Sequence, residues 1–425
     1  MSRLSWYCLA TCCVLLPPRG TEAIGQGKRV LALLDDTAFK STHSLFFNSL
    51  SSRGYHVTYS AATAPDLAIK DWDVYLYDKI IILASDMPEF GGAVDATALL
   101  DFVDAGHDLL LAVDSDASDE LRELAADLGV DFDHKGSVIT DHFNRYDKQH
   151  AAIMTSNALE SKAVFGSSHK HAPVIYTGIA ASISPRSTLV VKALTAGETA
   201  YSAHPSKGVS DSNLLAGGEA TLVALVQGRH NARAVVTGSI AMFSNELFSA
   251  SLGGPSDAKA GNEAFCTEVS KWGFHERGML LLSNMTHHLV GQQEQLSWYR
   301  VKDDIGFSVN IQELVDGRWQ PFKAKDVQVE FTMLDPHVRA TLQPDNKGLF
   351  STQMKVPDVY GVFKFVISYH RLGYTSIEES WQVSVRPFKH NEYERFLLPA
   401  YPYYASAFSM MAGFCILSFF FLYHK

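Results

Sequence analysis

The sequence predicts an α/β domain, then a β-sandwich, then a single C-terminal membrane-spanning helix, and three observations carry that prediction. Up to about residue 285, continuous apolar runs alternate with segments of helical spacing. After Gln293 the apolar period shortens to two. From Tyr403 to Tyr423 the chain has no Asp, Glu, Lys, Arg, Asn or Gln. Uninterrupted apolar strands belong to a sheet covered on both faces, alternation to a sheet with one solvated face, and an uncharged run of about twenty residues to a bilayer.

Residues 1–23, MSRLSWYCLATCCVLLPPRGTEA, combine Arg3, an apolar stretch from Leu4 to Leu16, the Pro17-Pro18 break and the small residues Thr21 and Ala23. That pattern predicts a cleaved signal peptide and a mature chain beginning near Ile24. KRVLALLDD then reads as a short buried strand ending in acids, STHSLFFNSLSSRG as a helix stopped by glycine, and YHVTYSAA as a β-branched, aromatic strand. YDKIIILAS is a fully apolar strand, and DATALLDFVDAGHDLLLAVDSDAS a helix, a cap at Gly106 and another buried strand. Farther on, TLVALVQG reads as helical, ARAVVTGSI as a buried strand and NEAFCTEVSKWGFHERGMLLLSN as one long helix. Strands and helices in alternation imply a mostly parallel sheet with helices on both faces, here over residues 24–285 with a subdivision near 150.

In DVQVEFTML, Val327, Val329, Phe331 and Met333 face one way while Gln328, Glu330 and Thr332 face the other. YGVFKFVISY and ESWQVSVRPF repeat the alternation, with DPH, PDNKG and RLGY as turns. These segments predict an antiparallel sandwich over 296–388, a neck over 389–402, a span over 403–423 and a tail of His424 and Lys425. Tyr401, Tyr403 and Tyr404 at one end of the span and Tyr423 at the other fall where amphipathic rings settle, at the headgroup levels. A cleaved signal followed by one span predicts a type I membrane protein whose bulk lies outside the cytosol.

The balance of 46 acidic against 36 basic residues, a net charge of -10, argues against nucleic-acid partners, which demand a basic face. Of the five cysteines, Cys8, Cys12 and Cys13 fall in the signal segment and Cys415 in the span, so Cys266 has no lumenal partner for a disulfide. An extracytosolic region of this size without bridges points to the endoplasmic reticulum rather than the cell surface. Asn284-Met285-Thr286 is a sequon and makes Asn284 a candidate glycosylation site.

Chemistry-bearing motifs are sparse. Asp114 and Asp116, at the end of LLLAVDSDAS, resemble the acid pair of haloacid-dehalogenase phosphatases and the metal-binding pair of nucleotide-sugar glycosyltransferases, since two carboxylates on one turn can hold a divalent cation against a phosphate. Acids at strand ends are also common turn and N-cap residues, and this pair is expected to introduce the helix SDELRELAADLG. A doubly wound, Rossmann-like sheet here resembles the class I glutamine amidotransferases, which need a cysteine on a tight strand-to-helix turn. Cys266 instead lies inside a helical pattern and reads as a packed thiol. The glycines of GQGK, from Gly25, precede the first strand and cannot form a dinucleotide loop. His169, His171, His287 and His288 lack acids or cysteines at metal-ligand spacing. By residue chemistry alone the chain is a single-span lumenal scaffold or binding protein.

VPDVYGVFKF, RLGYTS, VSVRPFKHNEYERF and AYPYYASAFSMM, with NARAVVTGSIAMFSNELF, LLDDT and DPHVRATL, closely resemble the family of non-catalytic 48 kDa subunits of the eukaryotic oligosaccharyltransferase. The resemblance runs through the mature chain in order. It implies a scaffolding subunit of the complex that transfers a preassembled oligosaccharide from dolichyl diphosphate to Asn of Asn-x-Ser/Thr sequons, with no catalytic, cofactor or metal site of its own. The implied partners are the polytopic catalytic subunit, which would hold the divalent metal and the dolichyl-linked donor, ribophorin-type subunits, small membrane subunits of the defender against cell death family, and membrane lipid. Some family members end in a dilysine retrieval signal, whereas this chain ends FLYHK. Within the span, Ala405, Ser409, Ala412 and Gly413 form a small-residue stripe suited to docking against partner helices. The alternative left open by the residues is a lumenal metal-dependent sugar-phosphate enzyme using Asp114 and Asp116.

Overall fold

The computed structural model describes residues 27–147, 152–166, 172–185, 187–205, 214–252, 258–315, 317–393 and 395–424. The signal-peptide segment, Gly25, His169, His171 and Lys425 lie outside the described residues.

Five strands form the parallel heart of the first sheet, in the order His56–Ala61, Arg29–Leu34, Lys79–Leu83, Asp108–Ala112 and Arg233–Thr237. Their alternate residues feed two separate cores. Val30, Ala32, Leu34, Ile81, Leu83 and Leu110 pack with Phe46, Phe47, Phe265, Val269 and Trp272 on one face. Leu31, Leu33, Ile80, Ile82, Leu109 and Leu111 pack with Leu99, Phe102, Leu121 and Leu124 on the other. Burial on both sides is why the four inner strands carry no alternation, while the edge strand His56–Ala61 is only partly buried. The helices that supply the cover are Ser44–Ser52 and Asn262–Gly273 on the first face, and Ala96–Asp104 and Asp119–Asp127 on the second. Asp95 caps the third of these by accepting a hydrogen bond from the Ala98 N–H at 2.6 Å.

Beyond Arg233–Thr237 the sheet turns antiparallel, through Thr221–Gln227 to Ala181–Ile183 and Val130–Phe132, with Val190–Thr195 also pairing to Thr221–Gln227. The helix expected at TLVALVQG is therefore a strand. Thr221 to Val226 are all buried between two neighbours, and a short run covered on both faces has no period by which strand and helix can be told apart. The long helix expected from Asn262 also stops early, at Gly273. His275 adopts φ +60 and Gly278 φ +67, and two left-handed residues within four positions end the helix and reverse the chain. The next element, Met279–Leu289, is an eleven-residue strand.

That strand pairs with Asp304–Val315, so the sandwich takes in residues ahead of the expected start at 296. Leu349–Lys355, Gln343–Pro344 and Arg318–Pro321 complete this sheet. The facing sheet runs Trp298–Arg300, Ile377–Arg386, Gly361–Tyr369, Gln328–Thr332, Pro336–Thr341. Between them Val329, Phe331, Phe307, Phe350, Phe363 and Phe365 form a third core, with Phe331 stacked on Phe363 at 4.6 Å. The alternation predicted for Val327, Val329 and Phe331 is the observed inward face, while Met333 at the turn is half-buried. The chain ends in the helix Tyr401–Tyr423, whose side chains are almost all exposed, as an apolar helix is before lipid or partner helices cover it. Leu398–Tyr423 is long and apolar enough to cross a membrane.

Candidate functional site

Asp114 lies two residues past the strand Asp108–Ala112, and its carboxylate accepts the Ser115 N–H at 2.8 Å. Burial raises its pKa, and Asp116 adds to the rise. Asp116 is exposed. Among the described residues no group of three or more His, Cys, Asp or Glu is placed to hold a metal ion. Cys266 is fully buried in its helix, its Sγ 3.6 Å from the Met242 carbonyl, and burial pushes the thiol well above its ordinary pKa. A protonated, enclosed thiol is no nucleophile. His287 is a core residue, stacked on Phe365 and bonded to the Tyr299 hydroxyl at 2.7 Å, while its neighbour His288 is half-buried. Asn284 is exposed at a bulge of the strand Met279–Leu289, with φ +50, and the Thr286 hydroxyl is 2.7 Å from that of Ser308. Ala405, Ser409, Ala412 and Gly413 sit on the exposed terminal helix, where the Ser409 hydroxyl donates to the Ser406 carbonyl at 2.9 Å.

The polar density of the molecule is elsewhere, at the opposite edge of the sheet. Lys79, Asp108 and Arg233 are the first residues of three adjacent parallel strands, and all three are buried. Lys79 Nζ donates to Asp108 Oδ2 at 2.5 Å, His275 Nδ1 lies 3.0 Å from the same oxygen, and the Arg233 N–H reaches Asp108 Oδ1 at 3.3 Å. Burial alone would raise the Asp108 pKa, but His275 and Lys79 outweigh it and hold the carboxyl at about 2. Burial lowers the His275 ring below its ordinary value, Asp108 opposes this, and Arg233 and Lys79 reinforce it.

Arg233 connects this cluster to the sandwich. Its guanidinium lies over the Trp272 ring, 4.7 Å from the centroid, and donates to the carbonyls of Trp272 at 2.8 Å, Arg277 at 2.7 Å, Gly278 at 2.9 Å and Gly373 at 3.4 Å. Gly373 belongs to the tip of the hairpin between Gly361–Tyr369 and Ile377–Arg386. The Trp272 indole N–H also donates to Gly373 O at 2.9 Å, Gln227 Nε2 to Tyr374 O at 2.5 Å, and the Asn231 amide exchanges bonds with the main chain of Ser376. A side chain at Gly278 would put its Cβ 2.3 Å from Gly373 O, so glycine is what lets the two main chains meet. The sequence reading missed this joint. Its one local signal is the charged residue that opens each of three otherwise apolar strands.

Beside the joint a cleft of about 830 Å³ separates the domains, lined by Asp78, His107, His230, Trp319, Glu378 and Glu379 among others. The buried charges of the joint are spent on one another and on main-chain carbonyls. Its competence is mechanical: it fixes one domain on the other.

Residues 22–276 match the family model for the OST48 N-terminal domain, and residues 287–425 that for the OST48 middle domain. The chain is 46% identical over 407 residues to the dolichyl-diphosphooligosaccharide–protein glycosyltransferase 48 kDa subunit of Arabidopsis thaliana, covering 94% of this chain and 93% of that one. The Drosophila melanogaster protein of the same name is 40% identical, over 93% and 91% of the two chains. That of Danio rerio is 38% identical, over 95% and 93%.

Proposed function

The chain belongs to the OST48 family, and from that membership we propose that it is a non-catalytic scaffolding subunit of the oligosaccharyltransferase, the complex that moves a preassembled oligosaccharide from dolichyl diphosphate to sequon asparagines. The observation that carries this is similarity at 38–46% identity along more than nine-tenths of the chain to curated subunits of that complex. The buried joint supports it in physical terms, since a scaffold must hold its domains in one relation. The reading that makes Asp114 and Asp116 a sugar-phosphate site has no such support.

On this reading the protein is a single-pass membrane protein of the endoplasmic reticulum with its folded domains in the lumen. We divide it into a signal peptide, an α/β region of doubly wound, Rossmann-like character, a β-sandwich, a neck and a span. Other subunits of the complex are its partners, with the polytopic catalytic subunit, ribophorin-type subunits and small membrane subunits as the specific proposals. The metal and the dolichyl-linked donor belong to the catalytic subunit, because one transmembrane helix cannot enclose a polyprenyl groove. Asn284, exposed on its bulge, is a glycan acceptor.

Helices in lipid gain little from the hydrophobic effect and associate where small residues let backbones approach. Ala405, Ser409 and Gly413, four apart, with Ala412 beside them, supply such a face. Changing Ser409 and Gly413 together to Leu is expected to release the chain from the complex while it remains inserted and folded. Co-purification at the wild-type level would reduce the helix to an anchor.

A further inference from the structure

Several of the exposed apolar residues of the sandwich gather at one end, while Trp319, Leu349, Leu372 and Trp381 lie elsewhere on it. Strand Ile377–Arg386 runs from the hairpin tip on the α/β domain to the neck, ten residues or roughly 33 Å at strand rise. At its neck end the register brings together Trp298 and Val362, both opposite Ser384, and Gly361 opposite Val385. Gly361 lies against Met333, which places the Leu334 turn at this same end. Leu334 is 92% exposed, Tyr360 68%, Val362 49% and Trp298 45%.

The neck leaves from here and stays close. Phe388 is covered by the cations of Arg300 and Lys302 at 5.2 and 5.8 Å, and Glu392 folds back to Arg386 at 2.6 Å. Tyr393, 62% exposed, is therefore tied to the base of the sandwich. From Tyr393 to the start of the helix at Tyr401 the chain can reach at most roughly 27 Å, and less because Leu398–Ala400 is a helical turn.

We propose that this end of the sandwich rests in the headgroup layer of the bilayer that the terminal helix spans, with Trp298, Leu334, Tyr360, Tyr393 and Phe396 as its contacts. The inference rests on the reading of that helix as a membrane span. The occupant is lipid because the surface is continuous with the span through a short tether. Aromatic rings with a polar edge are also the side chains that settle at that depth. Apolar and aromatic side chains carry the contact more than charge does, since three of the cations at this end are already paired, Arg300 with Asp303, Lys302 with Asp358 and Arg386 with Glu392. The sandwich then acts as a spacer of fixed length under the α/β domain and the interdomain cleft.

The test uses the intact complex in nanodiscs that contain lipid with a nitroxide on the headgroup, and an environment-sensitive fluorescent amino acid at Leu334 or Tyr360. Controls carry it at Lys347, exposed on the turn toward the α/β domain, or at Phe414 in the span, the latter read with acyl-chain nitroxides. The expected result is strong loss of fluorescence at 334 and 360 that high salt does not reverse, and little at 347. Positions 334 and 360 as bright as 347, with 414 quenched, would overturn the proposal, whether water or another subunit covers them. A bright signal at 414 would instead overturn the membrane span itself.

Discussion

The two edges of the parallel sheet invite comparison. The edge past the carboxyl ends of its strands, where open α/β sheets usually hold their ligands, has Asp114 and Asp116, one with a raised pKa and the other exposed. The opposite edge has Lys79, Asp108, Arg233 and His275, all enclosed and satisfied largely by one another and by main chain. Acids at the first edge look catalytic in a linear sequence but, among the described residues, belong to no group of three or more His, Cys, Asp or Glu that could hold a metal ion. Charges at the second edge look ordinary in sequence and turn out to determine how the domains join. At the second edge charge serves architecture, in keeping with the scaffolding role proposed above.

If the comparison is right, the largest effect comes from the second edge. Replacing Arg233 with Met removes four hydrogen bonds to main-chain carbonyls and a cation beside Asp108, a loss on the order of 3–5 kcal/mol for a buried charge network. Thermal unfolding of the full-length chain in detergent should shift sharply downward, and proteolysis should cut near the Gly278 linkage. A melt within the error of wild type would mean that the joint is not what holds the domains.

A smaller, graded effect is expected from pH. His275 has a folded pKa below its ordinary value, so the stability it contributes is present above about 6.5 and is lost as pH falls below it. Asp108, held at about 2 against an ordinary 3.8, contributes stability present above the ordinary value and lost as pH falls from there toward 2, on the order of 2 kcal/mol. Both act in the same direction, so stability should fall on acidification. His275→Asn, which tolerates the left-handed backbone, should flatten the part of the profile just below about pH 6.5. An unchanged profile would remove His275 from the account.

The smallest effect is expected at the first edge. Asp114→Asn with Asp116→Asn should leave stability within about 0.5 kcal/mol and glycosylation of reporter sequons unchanged at normal complex abundance. A drop in occupancy with the complex intact would revive the carboxylates as a site.

Much of the architecture was legible because it is local. KIIIL and LLLA announce strands buried on both faces, and QVEF and VFKF announce a sandwich face, since each pattern is written within a few residues. Thr221–Gln227 was misread because burial on both faces erases the very alternation that would identify it. The end of the helix at Gly273 was hidden because its stop depends on His275 adopting a left-handed conformation, which no neighbouring residue signals. The joint was illegible for a different reason: Arg233 and Gly373 stand 140 residues apart, and only the folded chain brings them together.

The central claim is that the complex depends on this chain for its integrity and not for its chemistry. Conditional depletion, with native complex size and sequon occupancy read on the same samples, tests it most directly. The account predicts that the complex falls apart and that occupancy declines broadly, with full-length Asp114→Asn, Asp116→Asn protein restoring both. Depletion that leaves complex size and occupancy at their normal levels would contradict it.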